Sequence, residues 1–292
     1  MKTRDSLRSH VDEQPGEYAH QIIGKFSGIS LEQMQRSASL LQRRDRKYVC
    51  DSVQSEHLFR SLESVDIKVL DINGRREFTY YSTYFDTPNF LSYHDAATNR
   101  RRRFKVRHRH YVNSGEHFLE LKTKGGRSQG IKDRYLLSED DVEAMKRFAS
   151  EGFLDLPHVL MWLVSELCER HIYSSVDQAR EVVRALHPVS RTEYVRSTFV
   201  TSENERVTFD RSLQLVRLQG EREECIRGSC LVPLTIVETK TLGKLSEVDR
   251  ILWRQGIRPI SISKYALSIA YGYGLPANKW TRALKTVTSV AR

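Results

Sequence analysis

The stretch that decides the fold runs from Asn99 to Leu137 and reads NRRRRFKVRHRHYVNSGEHFLELKTKGGRSQGIKDRYLL. Its first part alternates with period two between basic side chains and phenylalanine, valine or histidine. Residues 113–115 read as a turn, and the alternation resumes in residues 118–124. Alternation of this kind, bounded by turn residues, predicts antiparallel strands.

One face of this predicted sheet is almost uniformly positive. Along the first strand it carries Arg101, Arg103, Lys105, Arg107 and Arg109. An ordinary amphipathic sheet has charges of both signs on its polar face, whereas charges of one sign repel each other. A ligand with many negative charges would remove that repulsion. Two surfaces could serve it: an open basic face for nucleic acid, or a closed barrel with a cationic lumen.

The composition sets the class of protein. The chain has 292 residues, 39% of them hydrophobic, which is enough for a real core in one large or two small domains. Its net charge of +10 indicates an acidic partner. The four cysteines show neither a CxxC motif nor zinc-ligand spacing and are typical of reduced thiols. No apolar run approaches the ~20 residues of a membrane span, and the first residues are unlike a signal peptide. We expect a soluble cytoplasmic protein and leave a membrane partner open.

The pattern predicts one large α+β domain over residues 39–275, between a polar tail at 1–38 and a basic tail at 276–292. Helices are predicted between the strands. The strand-like segments are 43–51, 80–86, 105–111, 118–124, 132–137, 191–200, 206–210 and 231–240. About eight antiparallel strands are enough to close a barrel around a ligand. We therefore predict a closed antiparallel β-barrel with helices packed outside.

Closure would place the alternate side chains of every strand inside the barrel. Only a polyanion would make such an interior tolerable, because an unpaired buried charge costs several kcal/mol. The basic residues expected inside are Lys47, Arg107, Arg109, Lys122, Lys132, Arg134, Arg196, Arg206, Lys240 and Lys264.

A series of short motifs in order resembles the VTC domain, the polyphosphate-polymerase branch of the triphosphate tunnel metalloenzymes, which also include the CYTH proteins. The resemblance covers roughly residues 40 to 272 and implies a tunnel-shaped barrel that holds triphosphate or polyphosphate with a divalent metal. The motifs are YFDT (84–87), KVRHRHY (105–111), FLELKTK (118–124), KDR (132–134), YVR (194–196), RVTFD (206–210), VETK (237–240) and SISKY (261–265).

The resemblance also implies roles for individual residues. The ten basic residues named above would bind phosphate, and Lys47, Glu238 and Lys264 would be catalytic. Glu238 would bind the metal, Mg²⁺ or Mn²⁺, with Asp45 and Glu120 as further candidate ligands. These ligand types are reasonable because hard divalent cations prefer carboxylate and phosphate oxygens.

One departure from the superfamily pattern bears on the reaction. Hydrolytic and cyclase-like members share an N-terminal ExExK motif, whereas this chain has RRDRK at residues 43–47. Arg43 replaces the first acid and Asp45 shortens the second. Fewer carboxylates favour the polymerase branch over a triphosphatase.

Several of these residues have simpler structural explanations. Glu120 would pair with a neighbouring lysine, and Glu238 would form a salt bridge. His108 and His110 lie on the face opposite the arginines, where packing under a helix is expected. Tyr84 is more typical of a core residue than of an adenine platform.

The predicted function is metal-dependent transfer of the terminal phosphoryl group of ATP to a polyphosphate chain. One alternative is a triphosphatase or polyphosphatase of the same fold, in which a carboxylate such as Asp45 would position water. Another is a non-catalytic module that binds polyanions or RNA, although few aromatic residues interleave with the basic strand, and no nucleic acid partner is expected.

Overall fold

Antiparallel strands form the framework of the chain. The structure, a computed structural model, describes residues 15–37, 44–124, 130–148, 156–219, 222–225 and 234–290. The strands are β1 (Ser27–Ile29), β2 (Arg44–Cys50), β3 (Ile67–Leu70), β4 (Phe78–Asp86), β5 (Arg103–Tyr111), β6 (Glu116–Lys124), β7 (Ile131–Leu136), β8 (His187–Thr201), β9 (Arg206–Gln219), β10 (Arg222–Cys225) and β11 (Thr235–Thr241).

Helices lie between the strands, as predicted. In the part of the chain that the structure describes, no helix reaches the length and apolar character that a membrane span needs. The α-helices are α1 (Pro15–Gly24), α2 (Leu31–Ser37), α3 (Ser52–Leu62), α4 (Leu91–Ala97), α5 (Glu139–Phe148), α6 (Pro157–Glu169), α7 (Val176–Arg184), α8 (Glu247–Arg254), α9 (Lys264–Tyr273) and α10 (Thr281–Val290).

The predicted α+β class and the eight-stranded antiparallel sheet are confirmed. The strands pair in the order β2-β11-β9-β8-β4-β5-β6-β7, and β1, β3 and β10 lie off this path. Among the described residues no pairing joins β2 to β7, so closure into a barrel stays a prediction. The chain divides into two compact units, and β8 and β9 each contribute to both.

The first unit comprises Met1–Glu77, Arg196–Ser212 and Pro233–Pro259. Its core includes Ile22 and Ile23 of α1, although residues 1–38 were predicted to be a polar tail. Phe26, which follows α1, packs edge-on against Phe199 of β8, with ring centroids 5.2 Å apart. Part of the predicted tail is therefore folded, because its few apolar side chains meet the sheet.

A buried carboxylate ties α8 to the strands of the first unit. Asp249 accepts hydrogen bonds from the Tyr48 hydroxyl at 2.6 Å and from the Thr239 hydroxyl at 2.7 Å. It also accepts one from the backbone N–H of Ser246, whose hydroxyl caps the helix in return. The guanidinium of Arg46 completes the set at 3.1 Å. One face of β2 and one face of β11 thus contact α8, and the side chains on the opposite face of each strand contact other groups.

The second unit comprises Phe78–Val195, Leu213–Val232 and Ile260–Arg292. One core lies between β5, β6 and helices α5–α7 and contains Phe104, Val106, Leu119 and Leu163. Another forms around α9 and includes Tyr84, which is 2% exposed, as expected for a core residue. Part of the predicted basic tail is folded too, since Trp280 belongs to this core and Ala283 and Val287 are buried.

The histidines of β5 lie on the face opposite the arginines. His108 Nε2 is 2.9 Å from Nδ1 of His117, and the ring of His110 stacks on His117 with centroids 4.0 Å apart. Burial, together with the two neighbouring imidazoles, lowers the pKa of His108 to about 3. His108 is therefore neutral at neutral pH and belongs to the packing of the sheet.

Replacing Asp249 with alanine should destabilise the fold. The substitution leaves Arg46, whose side chain is 11% exposed, without its carboxylate, and it removes the acceptor for the backbone N–H of Ser246 in the capping box. Breaking a buried charge pair costs about 3–5 kcal/mol. Urea denaturation should show this loss of unfolding free energy, whereas Glu247→Ala, an exposed change in the same helical turn, should alter it by less than about 0.5 kcal/mol. Equal effects of the two changes would refute this role of Asp249.

Candidate functional site

The second unit gathers basic side chains around one carboxylate, Glu120 of β6. The strand register places Glu120 between Arg107 of β5 and Arg134 of β7. Glu120 accepts hydrogen bonds from Arg107 Nε at 2.6 Å and from Lys132 Nζ at 2.7 Å, and Arg134 Nε lies 3.1 Å away. The carboxylate, with 2% of its side chain exposed, thus holds three cations on one face of the sheet.

Other predicted cations belong to the same face, and we call the whole group the second cluster. Lys122 pairs in register with Lys132 on one side and with Lys105 on the other. The second cluster consists of Glu120 with Lys105, Arg107, Arg109, Lys122, Lys132, Arg134 and Lys264.

Tyrosines contact three further cations of the second cluster. Arg109 donates to the Tyr194 hydroxyl at 2.9 Å, and Lys264 Nζ lies 4.3 Å from the centroid of the Tyr194 ring. Lys105 Nζ lies over the rings of Tyr84 and Tyr265, at 5.3 and 5.8 Å from their centroids. Tyr194 was not identified from the sequence, although it belongs to the YVR motif. Contacts between a ring and an ammonium or guanidinium group fix the cation without neutralising it.

In the second cluster, burial and the neighbouring charges shift the pKa values of Glu120 and Lys132 in opposite directions. Burial raises the pKa of Glu120, but Arg107, Arg109 and Lys132 lower it by more, so the pKa lies well below its usual range and the carboxylate is ionised. Burial lowers the pKa of Lys132 to about 8, although Glu120 acts to raise it. The pKa of Lys132 therefore lies closer to neutral pH than that of an ordinary lysine.

The first unit holds a separate group, built on β2, β11 and β9, in which two carboxylates share one ammonium. Lys240 Nζ donates to Glu238 at 2.6 Å and to Asp45 at 2.9 Å. Lys47 pairs in register with Glu238, and its Nζ lies 3.9 Å from that carboxylate. The salt bridge expected for Glu238 is therefore present, and it joins three of the predicted site residues.

An arginine–carboxylate pair adjoins this group. Arg196 of β8 donates from Nε and Nη2 to the two oxygens of Asp210, at 2.5 and 2.8 Å. Arg206 pairs in register with Lys240. Asp210 was not identified from the sequence, where its only signal was its place at the end of RVTFD. The first cluster consists of Asp45, Lys47, Arg196, Arg206, Asp210, Glu238 and Lys240.

Glu238 is ionised and has the chemistry of a metal ligand. Burial raises its pKa, but Lys47, Lys240 and Arg196 lower it by more, so its pKa lies well below the usual range. Among the described residues no group of three or more histidine, cysteine or acidic side chains is arranged to hold a metal. Mg²⁺, however, commonly takes one or two protein carboxylates and completes its shell with phosphate and water. Glu238 and Asp45, which meet at Lys240, fit that requirement, whereas Glu120 is already engaged by three cations.

The structure thus brings the predicted site residues together in two clusters, one in each unit. Four of the predicted phosphate-binding residues lie in the first cluster and six in the second. Arg43, the departure from the ExExK pattern, lies outside the described residues.

Comparison with known families assigns the chain to one of them. A model of the VTC domain matches residues 42–273. Because this is most of the chain, the protein belongs to the VTC domain family, and the resemblance seen in the motifs is confirmed. No curated protein matches the chain.

Solved structures that are similar to this chain share little sequence with it. A Hippeastrum protein described as an adenylyl cyclase with a dominant triphosphatase activity is 15% identical, with a TM-score of 0.43, and the match covers 82% of this chain and 100% of that one. A protein from Pyrococcus horikoshii is 14% identical, with a TM-score of 0.40 and coverage of 80% and 99%. A Vibrio parahaemolyticus protein assigned as an adenylate cyclase is 12% identical, with a TM-score of 0.37 and coverage of 85% and 97%.

Binding of tripolyphosphate should weaken as the pH rises above about 8. The pKa of Lys132 is about 8 in the unliganded protein, and a bound polyanion favours the charged ammonium and so raises that pKa. Above this pH, binding must take up a proton, and the affinity falls by up to about tenfold per pH unit.

Isothermal titration at about pH 7 and about pH 9.5 measures the effect. In a Lys132→Arg variant, which stays charged, the affinity should fall less between these two pH values than it does in the wild type. An equal fall in the variant and in the wild type would assign the titration to another group.

Proposed function

We propose that this VTC domain is a metal-dependent polyphosphate polymerase that transfers the terminal phosphoryl group of ATP to the end of a polyphosphate chain. The observation that supports it most is the excess of cations over the carboxylate they share in the second cluster. Glu120 accepts from Arg107, Lys132 and Arg134, while Lys122 is placed beside Lys132. A polyanion supplies the negative charge that such a surface lacks.

The residue types suit phosphoryl transfer. The transferred group spreads negative charge over its equatorial oxygens, so catalysis depends on alignment and neutralisation rather than on covalent chemistry. Arginine grips phosphate through two parallel hydrogen bonds, and lysine follows it as a mobile point charge. Arg107 and Arg196 are held in defined positions by carboxylates, whereas Lys47 and Lys132 each keep about a third of their side chain exposed.

The proposed reaction needs no general base. The terminal oxygen of the polyphosphate chain is already ionised and attacks the γ-phosphorus of ATP. The bond from that phosphorus to the β–γ bridging oxygen breaks, and ADP leaves. Lys47 and Lys240 would neutralise the oxygens that gain charge, and Lys264 keeps the role that the family resemblance implies for it. The bound divalent cation, Mg²⁺ or Mn²⁺, would add Lewis-acid stabilisation, held by Glu238 with Asp45.

A triphosphatase or polyphosphatase is the second candidate. Water would then replace the chain end, and a carboxylate would have to position it. Asp45 is the residue expected to do so, and it accepts from Lys240. Residues 43–47 read RRDRK where hydrolytic members have ExExK, and this smaller number of carboxylates favours transfer over hydrolysis. Closure of the sheet around the phosphates, which the family resemblance implies, belongs to this proposal and stays a prediction.

Product analysis tests the proposal directly. The purified protein is incubated with ATP labelled in its γ-phosphate, with Mg²⁺ or Mn²⁺ and a short polyphosphate primer, and the products are separated on a gel. Label in a long anionic polymer, with ADP formed in step, is the expected result. Label in orthophosphate would support the hydrolase. Binding without turnover, with steep salt dependence and no effect of metal, would support a polyanion- or RNA-binding module.

Replacing Glu238 with glutamine should reduce turnover on the order of a hundredfold, because it removes the proposed metal ligand at the reacting phosphates. Binding of tripolyphosphate without metal should be retained or strengthened, since one negative charge is lost beside Lys47 and Lys240. Steady-state turnover and calorimetry measure the two effects.

Glu193→Gln is the matched control. Glu193 is also a partly exposed carboxylate in an ion pair, with Arg191, and by alternation it lies on the face of β8 opposite Tyr194. It should keep wild-type turnover. If Glu238→Gln keeps wild-type turnover and metal dependence as well, the metal is not bound by Glu238.

A further inference from the structure

The basic face of the second unit ends in apolar side chains, at the edge where β5 ends and β6 begins. Tyr111 and Phe118 meet edge to face there, with ring centroids 5.6 Å apart. Leu136 pairs in register with Phe118 and is 62% exposed. Both rings are partly exposed as well. We call these three residues the apolar end.

Arg134 joins the apolar end to the cations. Its guanidinium lies 5.5 Å from the centroid of the Phe118 ring, and its Nη2 lies 3.4 Å from the Tyr111 hydroxyl. The same side chain places Nε 3.1 Å from Glu120. One arginine therefore contacts the aromatic rings and also Glu120, the carboxylate shared by the cations that are proposed to bind phosphate.

At the opposite end of the same face, the described residues of β5 and β6 are cations in place of apolar groups. Arg103 of β5 pairs in register with Lys124 of β6, so the strands finish there in two cations. Phe118 and Lys124 are six residues apart, which is about 20 Å along a strand. Among the described residues the face therefore has a direction, from exposed apolar and aromatic groups at one end to cations at the other.

We propose that the apolar end binds the nucleobase of the donor nucleotide, so that its phosphates lie along Arg134, Lys132 and Lys122. This inference rests on the proposed function, because it takes a nucleoside triphosphate as the donor. A nucleoside triphosphate is the ligand whose own polarity matches the face, since it is an aromatic ring at one end and a polyanion at the other.

The apolar end has groups that bind a nucleobase but do not distinguish one base from another. Aromatic rings and an arginine guanidinium stack on the π-face that every base has, and Leu136 adds apolar contact. ATP and GTP should therefore bind with similar affinity. Inorganic tripolyphosphate carries the same phosphates without a base and should gain nothing from these residues.

The test compares ATP with inorganic tripolyphosphate on the full chain, by calorimetry in the presence of Mg²⁺. In Phe118→Ala the affinity for ATP should fall by at least about fivefold, while the affinity for tripolyphosphate changes by less than about twofold. Leu136→Ser is a second variant that should not disturb folding, because the Leu136 side chain is mostly exposed. It should lower the affinity for ATP by a smaller factor and leave the affinity for tripolyphosphate unchanged.

Ile131→Ser is the matched control, because Ile131 is also an exposed apolar residue of β7 but lies at its other end. It should leave both affinities unchanged. Equal losses for ATP and tripolyphosphate, or no loss in either variant, would overturn the assignment of the base site. Failure of the wild type to bind either ligand would instead refute the proposed function, and with it the inference that rests on it.

Discussion

Repulsion among like charges on one face of a sheet is the constraint on which this structure depends. Alternation forces every second side chain of a strand onto the same face, and in β5 those side chains are Arg103, Lys105, Arg107 and Arg109. The fold meets the repulsion with a few buried or half-buried carboxylates. Glu120 in the second cluster, and Glu238 and Asp210 in the first, each hold cations in fixed positions. The carboxylates position the cations but leave the second cluster with a surplus of positive charge.

The same alternation gives the two faces of the sheet different contacts and different roles. In β2, Lys47 belongs to the first cluster while Arg46 and Tyr48 turn to Asp249 below α8. In β5, Arg107 contacts Glu120, whereas His108 packs against His117. Packing on the helix-covered face stabilises the fold. The basic face can therefore keep a positive charge that only a bound ligand balances, and the domain stays folded.

Much of this could be predicted from the sequence, because period-two patterns and local spacing report on the strand that carries them. Lys47, Glu238 and Lys240 were predicted to share a site, and the register of β2 with β11 brings them together. Asp210 and Tyr194 were missed because their partners, Arg196 and Arg109, act through contacts that depend on how the strands pair. The helices α1 and α10 were missed because both lie in polar segments, where the apolar residues that the structure shows buried, Ile22 and Ile23 in α1 and Ala283 and Val287 in α10, are widely outnumbered.

The most direct measurement of the central claim is thermal unfolding of the wild-type protein with inorganic tripolyphosphate, compared with sodium chloride at equal ionic strength. A ligand that fills the cationic face at about 100 times its dissociation constant should raise the unfolding free energy by about 2.7 kcal/mol and the melting temperature by roughly 5–10 °C. Sodium chloride should give only a small rise. An equal rise in both solutions, or none in either, would contradict the claim that a bound polyanion balances this face.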